Sequence, residues 1–124
     1  MLTYRRAVSG FSVDDLKRAK EFYGRTLGLD VTDMNGQLFL QLTGGTTVFV
    51  YPKPDHLPAT FTILNFSVDD IAAAVDELVK AGVRFERYPG VTADEKGIHR
   101  DQGPAIAWFK DPAGNILSVL QETG

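Results

Sequence analysis

Two stretches of the chain place apolar residues at helical spacing. Leu16, Ala19, Phe22, Tyr23 and Leu27 form one stripe, and Ile71, Ala74, Val75, Leu78 and Val79 form another. Gly28 and Gly82 stand where each helix would stop, because glycine accepts the left-handed backbone that ends a helix. Both stripes follow the same five letters, FSVDD, at residues 11–15 and 66–70. The two copies lie 55 residues apart but the closing glycines only 54, so the first helix carries one extra residue.

Strand-like sequence precedes each copy, YRRAVSGF in the first and FTILNFSV in the second. In the first copy the helix is followed by extended runs at residues 29–34, 37–42 and 46–51, with turns at Asn35-Gly36 and Gly44-Gly45. Asn-Gly between apolar runs is the strongest short hairpin signal. In the second copy the runs fall at residues 83–89, 104–109 and 115–121, with a turn in Asp111-Pro112-Ala113-Gly114. Each half therefore predicts strand, helix, three strands. Between them YPKPDHLPAT, residues 51–60, holds three prolines and predicts a linker. Aligning Gly45 with Gly114 gives an offset of 69, fifteen more than at the helix ends, and the surplus fits the loop GVTADEKGIHRDQG at residues 90–103. Long loops in small domains are either functional elements or surface inserts, and both remain open for this one.

The repeated phrase has a mechanical explanation. Phe and Val close a strand and pack inward, and the Asp pair opens a helix, one carboxylate accepting from free backbone N–H groups. FSVDD predicts scaffolding rather than acid–base chemistry.

Composition narrows the function. A chain of 124 residues with 44% hydrophobic and 23% charged residues is one ordinary globular domain. Cysteine is absent, which excludes disulfides, thiolate metal sites and a thiol nucleophile. No apolar run is long enough to span a membrane, and MLTYRRAVSGF lacks the apolar core of a signal peptide, so a cytoplasmic protein is expected. Net charge is −3, and the basic residues Arg5, Arg6, Lys17, Arg18, Lys20 and Arg25 are interspersed with acidic ones, so no nucleic-acid partner is expected.

Two tandem βαβββ modules, with FSVDDLKRAKEFYGRTLGLDV in the first and WFKDPAGNILSVLQE closing the second, resemble the vicinal oxygen chelate superfamily. That group includes glyoxalase I, extradiol dioxygenases, fosfomycin-resistance enzymes and bleomycin-resistance proteins. The resemblance covers nearly the whole chain and is carried by FY and LGL after the helix start and by the D-P-x-G-N turn at residues 111–115. It implies an α+β fold in which the two modules form a half-open barrel around a cavity. Residues 1–124 would form one domain, with module 1 at about 1–51, a linker at 52–60 and module 2 at about 61–124. It also implies a homodimer.

The superfamily's shared chemistry is a divalent metal that chelates two neighbouring substrate oxygens. The resemblance places the ligand positions at Val8, Phe49, Ile63 and Ser118. Three of these lack a donor atom, and a serine hydroxyl is a poor ligand for zinc, iron or nickel. No metal and no other cofactor is therefore expected.

Residues two apart on a strand share a face. Val8 brings Arg6 and Gly10, Ile63 brings Phe61 and Asn65, Phe49 brings Thr47 and Tyr51, and Ser118 brings Ile116 and Leu120. The opposite faces carry Val48, Val50, Leu64, Phe66, Leu117 and Val119, an apolar set suited to packing under helices. In relatives the residue three before the D-P-x-G-N aspartate also lines the pocket; here it is Trp108, which the repeat pairs with Phe39, with Gln41 and Lys110 two residues on. The expected ligand-binding set is Phe39, Gln41, Phe49, Tyr51, Phe61, Ile63, Asn65, Trp108 and Ser118, which suits a flat aromatic molecule. The alternative is that these rings fill the barrel and leave no cavity.

His99, in the long loop near Asp94, Glu95 and Asp101, is the candidate for a catalytic base or a relocated metal site, as His56 is in the linker, and solvated loop histidines are the alternative. The leading expectation is a metal-free protein that sequesters a hydrophobic or aromatic small molecule, an antibiotic being one possibility. The rival is a glyoxalase- or dioxygenase-like lyase or isomerase with a non-standard metal site or none.

Overall fold

Both FSVDD phrases turn a strand into a helix in the same way. Asp15 and Asp70 are extended, with φ/ψ of −138/104° and −139/100°. Each carboxylate accepts the backbone N–H three residues on, from Arg18 and from Ala73, at 3.1 Å. The computed structural model describes residues 1–101 and 103–122; Gln102 in the long loop, and Thr123 and Gly124 closing the second module, lie outside them. The chain divides into two compact units, Met1–Leu57 and Pro58–Gly124, a boundary inside the proline-rich segment.

The first unit runs β1 (Ser9–Val13), α1 (Leu16–Glu21), β2 (Asp30–Met34), β3 (Gln37–Leu42) and β4 (Thr46–Pro52). Its sheet has the order β1-β4-β3-β2, with β1 parallel to β4 and the other pairs antiparallel. Strand β1 starts later than YRRAVSGF suggested, and the ten residues before Phe11 are all exposed. Arg6 and Val8 thus precede the strand rather than belonging to it. Asn35 and Gly36 both have positive φ, 55° and 75°, as a two-residue hairpin turn of the hand that matches strand twist requires. Val13, Ala19, Tyr23, Leu38, Leu40, Val48 and Val50 form the core.

The extra residue of the first helix has a physical location. After α1 the backbone widens into a π-helical turn at Phe22–Thr26, where the Leu27 N–H reaches back five residues to the Phe22 carbonyl at 2.9 Å.

The second unit runs β5 (Thr62–Ser67), α2 (Ile71–Lys80), β6 (Ala105–Lys110) and β7 (Ile116–Gln121), with sheet order β5-β7-β6. Here β5 is parallel to β7, and β6 antiparallel. Helix α2 ends in a Schellman motif: Val83 N–H donates to the Leu78 carbonyl at 2.9 Å, Gly82 N–H donates to Val79 at 3.0 Å, and Gly82 has φ 101°. The expected strand at residues 83–89 is not formed. Only Phe85 bridges to Phe109, with Glu86 N–H donating to the Trp108 carbonyl at 2.8 Å. The segment lies on the outer edge of β6 and turns away at Pro89-Gly90, where proline has no N–H to continue a ladder. The core comprises Ile71, Val75, Val83, Ile98, Ala107, Phe109, Leu117 and Val119. Among the described residues no helix is long and apolar enough to cross a membrane.

Candidate functional site

In the first unit, β3 and β4 divide their side chains cleanly. Leu38, Leu40, Val48 and Val50 are buried in the core, while Phe39, Phe49 and Tyr51 stand half-buried on the other face. Phe39 and Phe49 are directly opposite in register, and the Phe49 and Tyr51 rings lie 5.7 Å apart, tilted by 30°. On the far side Gly10 faces Phe49, and a Cβ there would come within 2.5 Å of the ring, so the phenyl lies across a residue with no side chain. Gln41 is exposed and its Oε1 accepts from Thr47 Oγ1 at 2.9 Å across the strand pair. Val8 is 36% exposed, outside this row.

The corresponding row of the second unit is Asn65, Ser118 and Trp108, adjacent across β5, β7 and β6. Ser118 is fully buried and donates to Asn65 Oδ1 at 2.6 Å, so its hydroxyl is committed to a neighbour. Trp108 Nε1 donates to Thr62 Oγ1 at 3.1 Å, which fixes the indole plane. Ile63 falls at a register shift in the β5–β7 pairing, between Thr62 and Leu64, and Phe61 just before β5 is 67% exposed. Leu117 and Val119 point to the opposite, buried face, beside Ala107 and Phe109.

The long loop is built rather than slack. Asp94 starts a tight turn in which Gly97 N–H donates to the Asp94 carbonyl at 3.0 Å and Asp94 N–H donates to Ile98 O at 2.9 Å. The Asp94 carboxylate accepts from the N–H groups of Lys96 and Ile98, both at 2.9 Å. Gly97 is required twice over: its φ is 87°, and a Cβ would meet Phe85 at 3.3 Å. Arg87 donates to the carbonyls of Asp94 and Glu95 at 2.9 and 2.7 Å, and Lys96 reaches Asp76 on α2 at 2.6 Å. Burial acts to raise the Asp94 carboxyl, but the Ile98 and Lys96 N–H groups and the Arg100 guanidinium outweigh it and hold the group below the usual 3.8.

That anchorage lays His99 along the outer edge of β6. His99 N–H donates to Ile106 O at 2.8 Å, and Ile106 N–H donates back at 3.0 Å. The imidazole is only 4% exposed and packs 5.0 Å from the Trp108 ring, which also meets the Tyr88 ring at 5.7 Å. Gly90, Val91, Thr92, His99, Asp101, Ile106 and Trp108 line a partly open pocket of about 170 Å³. Among the described residues two buried polar atoms here have no partner, Tyr88 Oη and His99 Nε2. Burial, and then the Glu86 charge, raise the Tyr88 phenol above 10.0 against an opposing effect of Lys110, so it stays protonated. His56 is elsewhere, with its Nδ1 2.7 Å from Ser12 Oγ in the first unit. Among the described residues no three His, Asp or Glu side chains gather at one point.

Of the residues expected to bind ligand, Phe39, Gln41, Phe49 and Tyr51 share one face of the first sheet. Asn65, Trp108 and Ser118 share a row in the second, while Phe61 and Ile63 flank it. Missing from that expectation were Tyr88, Thr92, Val91 and Ile106. The turn at Asp94 could have been read, because Asp-Glu-Lys-Gly has the same Asp and Gly spacing as Asp111-Pro112-Ala113-Gly114.

A helix-backed sheet in which the first strand runs parallel beside the last, built twice from one repeat, defines a protein of paired βαβββ modules. The chain belongs to the glyoxalase/bleomycin resistance protein/dioxygenase superfamily, whose family model matches residues 7–119. It is 26% identical to the uncharacterised protein YraH of Bacillus subtilis (strain 168), over 88% of this chain and 91% of YraH. Among solved structures it is similar to TnmS3, an antibiotic binding protein from Streptomyces sp. CB03234. The TM-score is 0.71 and the identity 26%, covering 98% of this chain and 100% of that one. The fosfomycin resistance protein FosX of Listeria monocytogenes shares the fold at TM-score 0.71 and 13% identity, over 98% and 96% of the two chains.

Proposed function

We propose that this protein is a metal-free small-molecule-binding member of its superfamily, sequestering a hydrophobic or aromatic ligand, with antibiotics as the ligand class. The carrying observation is the Trp108 pocket, where an indole fixed by Thr62 forms one wall and the loop over it is tied down by Asp94, Arg87 and Lys96. An aromatic ring fits such a wall because ring pairs add about 0.5–1.5 kcal/mol beyond area burial. The likeness to an antibiotic binding protein supports the ligand class. The positions at which the family's metal ligands are expected, Val8, Phe49, Ile63 and Ser118, support a role without metal. We further propose that it acts in the cytoplasm as a homodimer.

Trp108 is the only tryptophan, so its emission reports directly on the pocket. Titration with a library of aromatic natural products is expected to quench or shift that emission for at least one compound class. Trp108→Ala should then weaken that ligand by about two- to tenfold when followed by calorimetry. Indifference of Trp108 to the whole library would overturn the proposal. A second reading, a lyase or isomerase, is favoured by one observation, a histidine, His99, among the residues that line the pocket. Turnover of a bound compound by the native protein, lost in His99→Ala, would select it.

A further inference from the structure

We infer that Trp108 takes aromatic ligands carrying a carbonyl oxygen, with the Asn65 side-chain amide donating to that oxygen. The inference rests on Trp108 being where the ligand stacks, and adds a contact beyond the residues that line the pocket. Strands β5 and β6 flank β7 and are not neighbours, yet Trp108 Nε1 on β6 lies 3.1 Å from Thr62 Oγ1 on β5. The indole therefore crosses β7 and ends at β5, the strand that carries Asn65. The register shift at Ile63 puts Thr62 and Asn65 on one face although they are three residues apart. Thr62 is opposite Ile116 and Asn65 opposite Ser118, and those partners are two apart on β7. Trp108 is the other neighbour of Ser118, so it belongs to the same face.

The way the amide points follows from one distance. Asn65 and Ser118 Oγ meet at 2.6 Å, the length of an O–H···O bond and short for N–H···O, so the hydroxyl holds the amide oxygen. Ser118 is fully buried and Asn65 is exposed, so the oxygen is pinned towards the sheet and Nδ2 is turned away from Ser118. Among the described residues Nδ2 has no partner. Asn65 is open to solvent, so a ligand approaches it without any part of the fold moving. An amide NH₂ only donates, so the group it recognises is an acceptor. A carbonyl conjugated to an aromatic ring stays in the ring plane, which sets its oxygen at the edge of the ring while the ring stacks on the indole. Ketones, esters and amides of aromatic acids share this chemistry, and a plain aromatic hydrocarbon lacks it.

Acetophenone and α-methylstyrene form the matched pair for the test, since they differ only in C=O against C=CH₂. Both are titrated into the intact protein and into Asn65→Asp, with binding followed by NMR. The aspartate keeps an oxygen for Ser118 but offers the ligand no donor. Acetophenone is expected to bind the variant about two- to tenfold more weakly, while α-methylstyrene is unaffected. The side-chain amide signals of Asn65 in the unmutated protein give an independent readout and decide the matter if the variant does not fold. They should move on adding acetophenone and stay in place with α-methylstyrene. Equal losses for the two probes, no loss for acetophenone, Asn65 amide signals indifferent to it, or failure of acetophenone to bind would each overturn the inference. If the aromatic library quenches Trp108 while the Asn65 amide does not respond to acetophenone, carbonyl recognition fails and the binding function stands. A Trp108 silent to every compound sinks both.

Discussion

The two modules agree wherever a residue shapes backbone and part company between the helix and the last hairpin. Asp15 and Asp70 cap with matching dihedrals and matching distances, and glycines of positive φ close both helices. The first module then completes a four-stranded sheet with short turns, and its aromatic face is made of strand residues. The second has three strands, because the segment at residues 83–89 makes one bridge and gives way to a loop that returns to the same edge at His99. An edge strand has been replaced by two short contacts, Phe85 with Phe109 and His99 with Ile106, and the space between holds the pocket. The frame occurs twice, and in the second copy an imidazole packs beside an indole where regular strand pairing is missing.

The largest effects should come from the cores, where the modules are most alike. Phe109 and its repeat counterpart Leu40 are both fully buried. Phe109→Ala should cost about 3–5 kcal/mol and Leu40→Ala about 2–5 kcal/mol, read from urea denaturation. If the two units unfold separately, each variant lowers only its own transition; a shared shift in a single transition would show that they unfold as one.

The caps should be equal and smaller. Asp15→Ala and Asp70→Ala are each expected to cost about 1 kcal/mol, since each removes one bond to an otherwise free helix N–H. Equality is the sharper part of this expectation. A large excess for one variant in thermal melts would mean that its aspartate does more than cap, and FSVDD would no longer be scaffolding alone.

The same physics explains what could be read from the sequence. Caps, the Asn35-Gly36 turn, the Schellman glycine and the buried faces of β4 and β7 depend on neighbours in sequence, so spacing and residue type disclose them. The one-residue offset between the helices was visible, but its form as a π-helical turn at Phe22–Thr26 depends on where the helix packs. The loop was harder. Its length marked it, yet the burial of His99 follows from contacts with Ile106, Thr92 and Trp108 that no local pattern announces. Tyr88 shares the alternation of Arg84 and Glu86 and so reads as the polar face of a strand, which hid its place against the indole.

Acid should loosen the second module's loop. The Asp94 carboxyl is held below its ordinary value, so its contribution is complete above that value and is lost as pH falls through the lowered one. The amide protons of Lys96 and Ile98, which donate to this carboxylate, should shift together over that interval in NMR spectra. Asp94→Asn should abolish the shared titration. Amide signals that stay flat down to the acid unfolding of the protein would show the loop to be held by Arg87 and Lys96 alone.

The smallest effect, and the most telling for the pocket, belongs to Tyr88→Phe. Its hydroxyl is buried without a partner among the described residues, so deleting it removes a desolvated group and breaks no hydrogen bond among them. Melting temperature should stay level or rise slightly, and the ring contact with Trp108 should persist because the phenyl ring is retained. A clear destabilisation would mean that the hydroxyl has a partner in solution, an ordered water being the simplest.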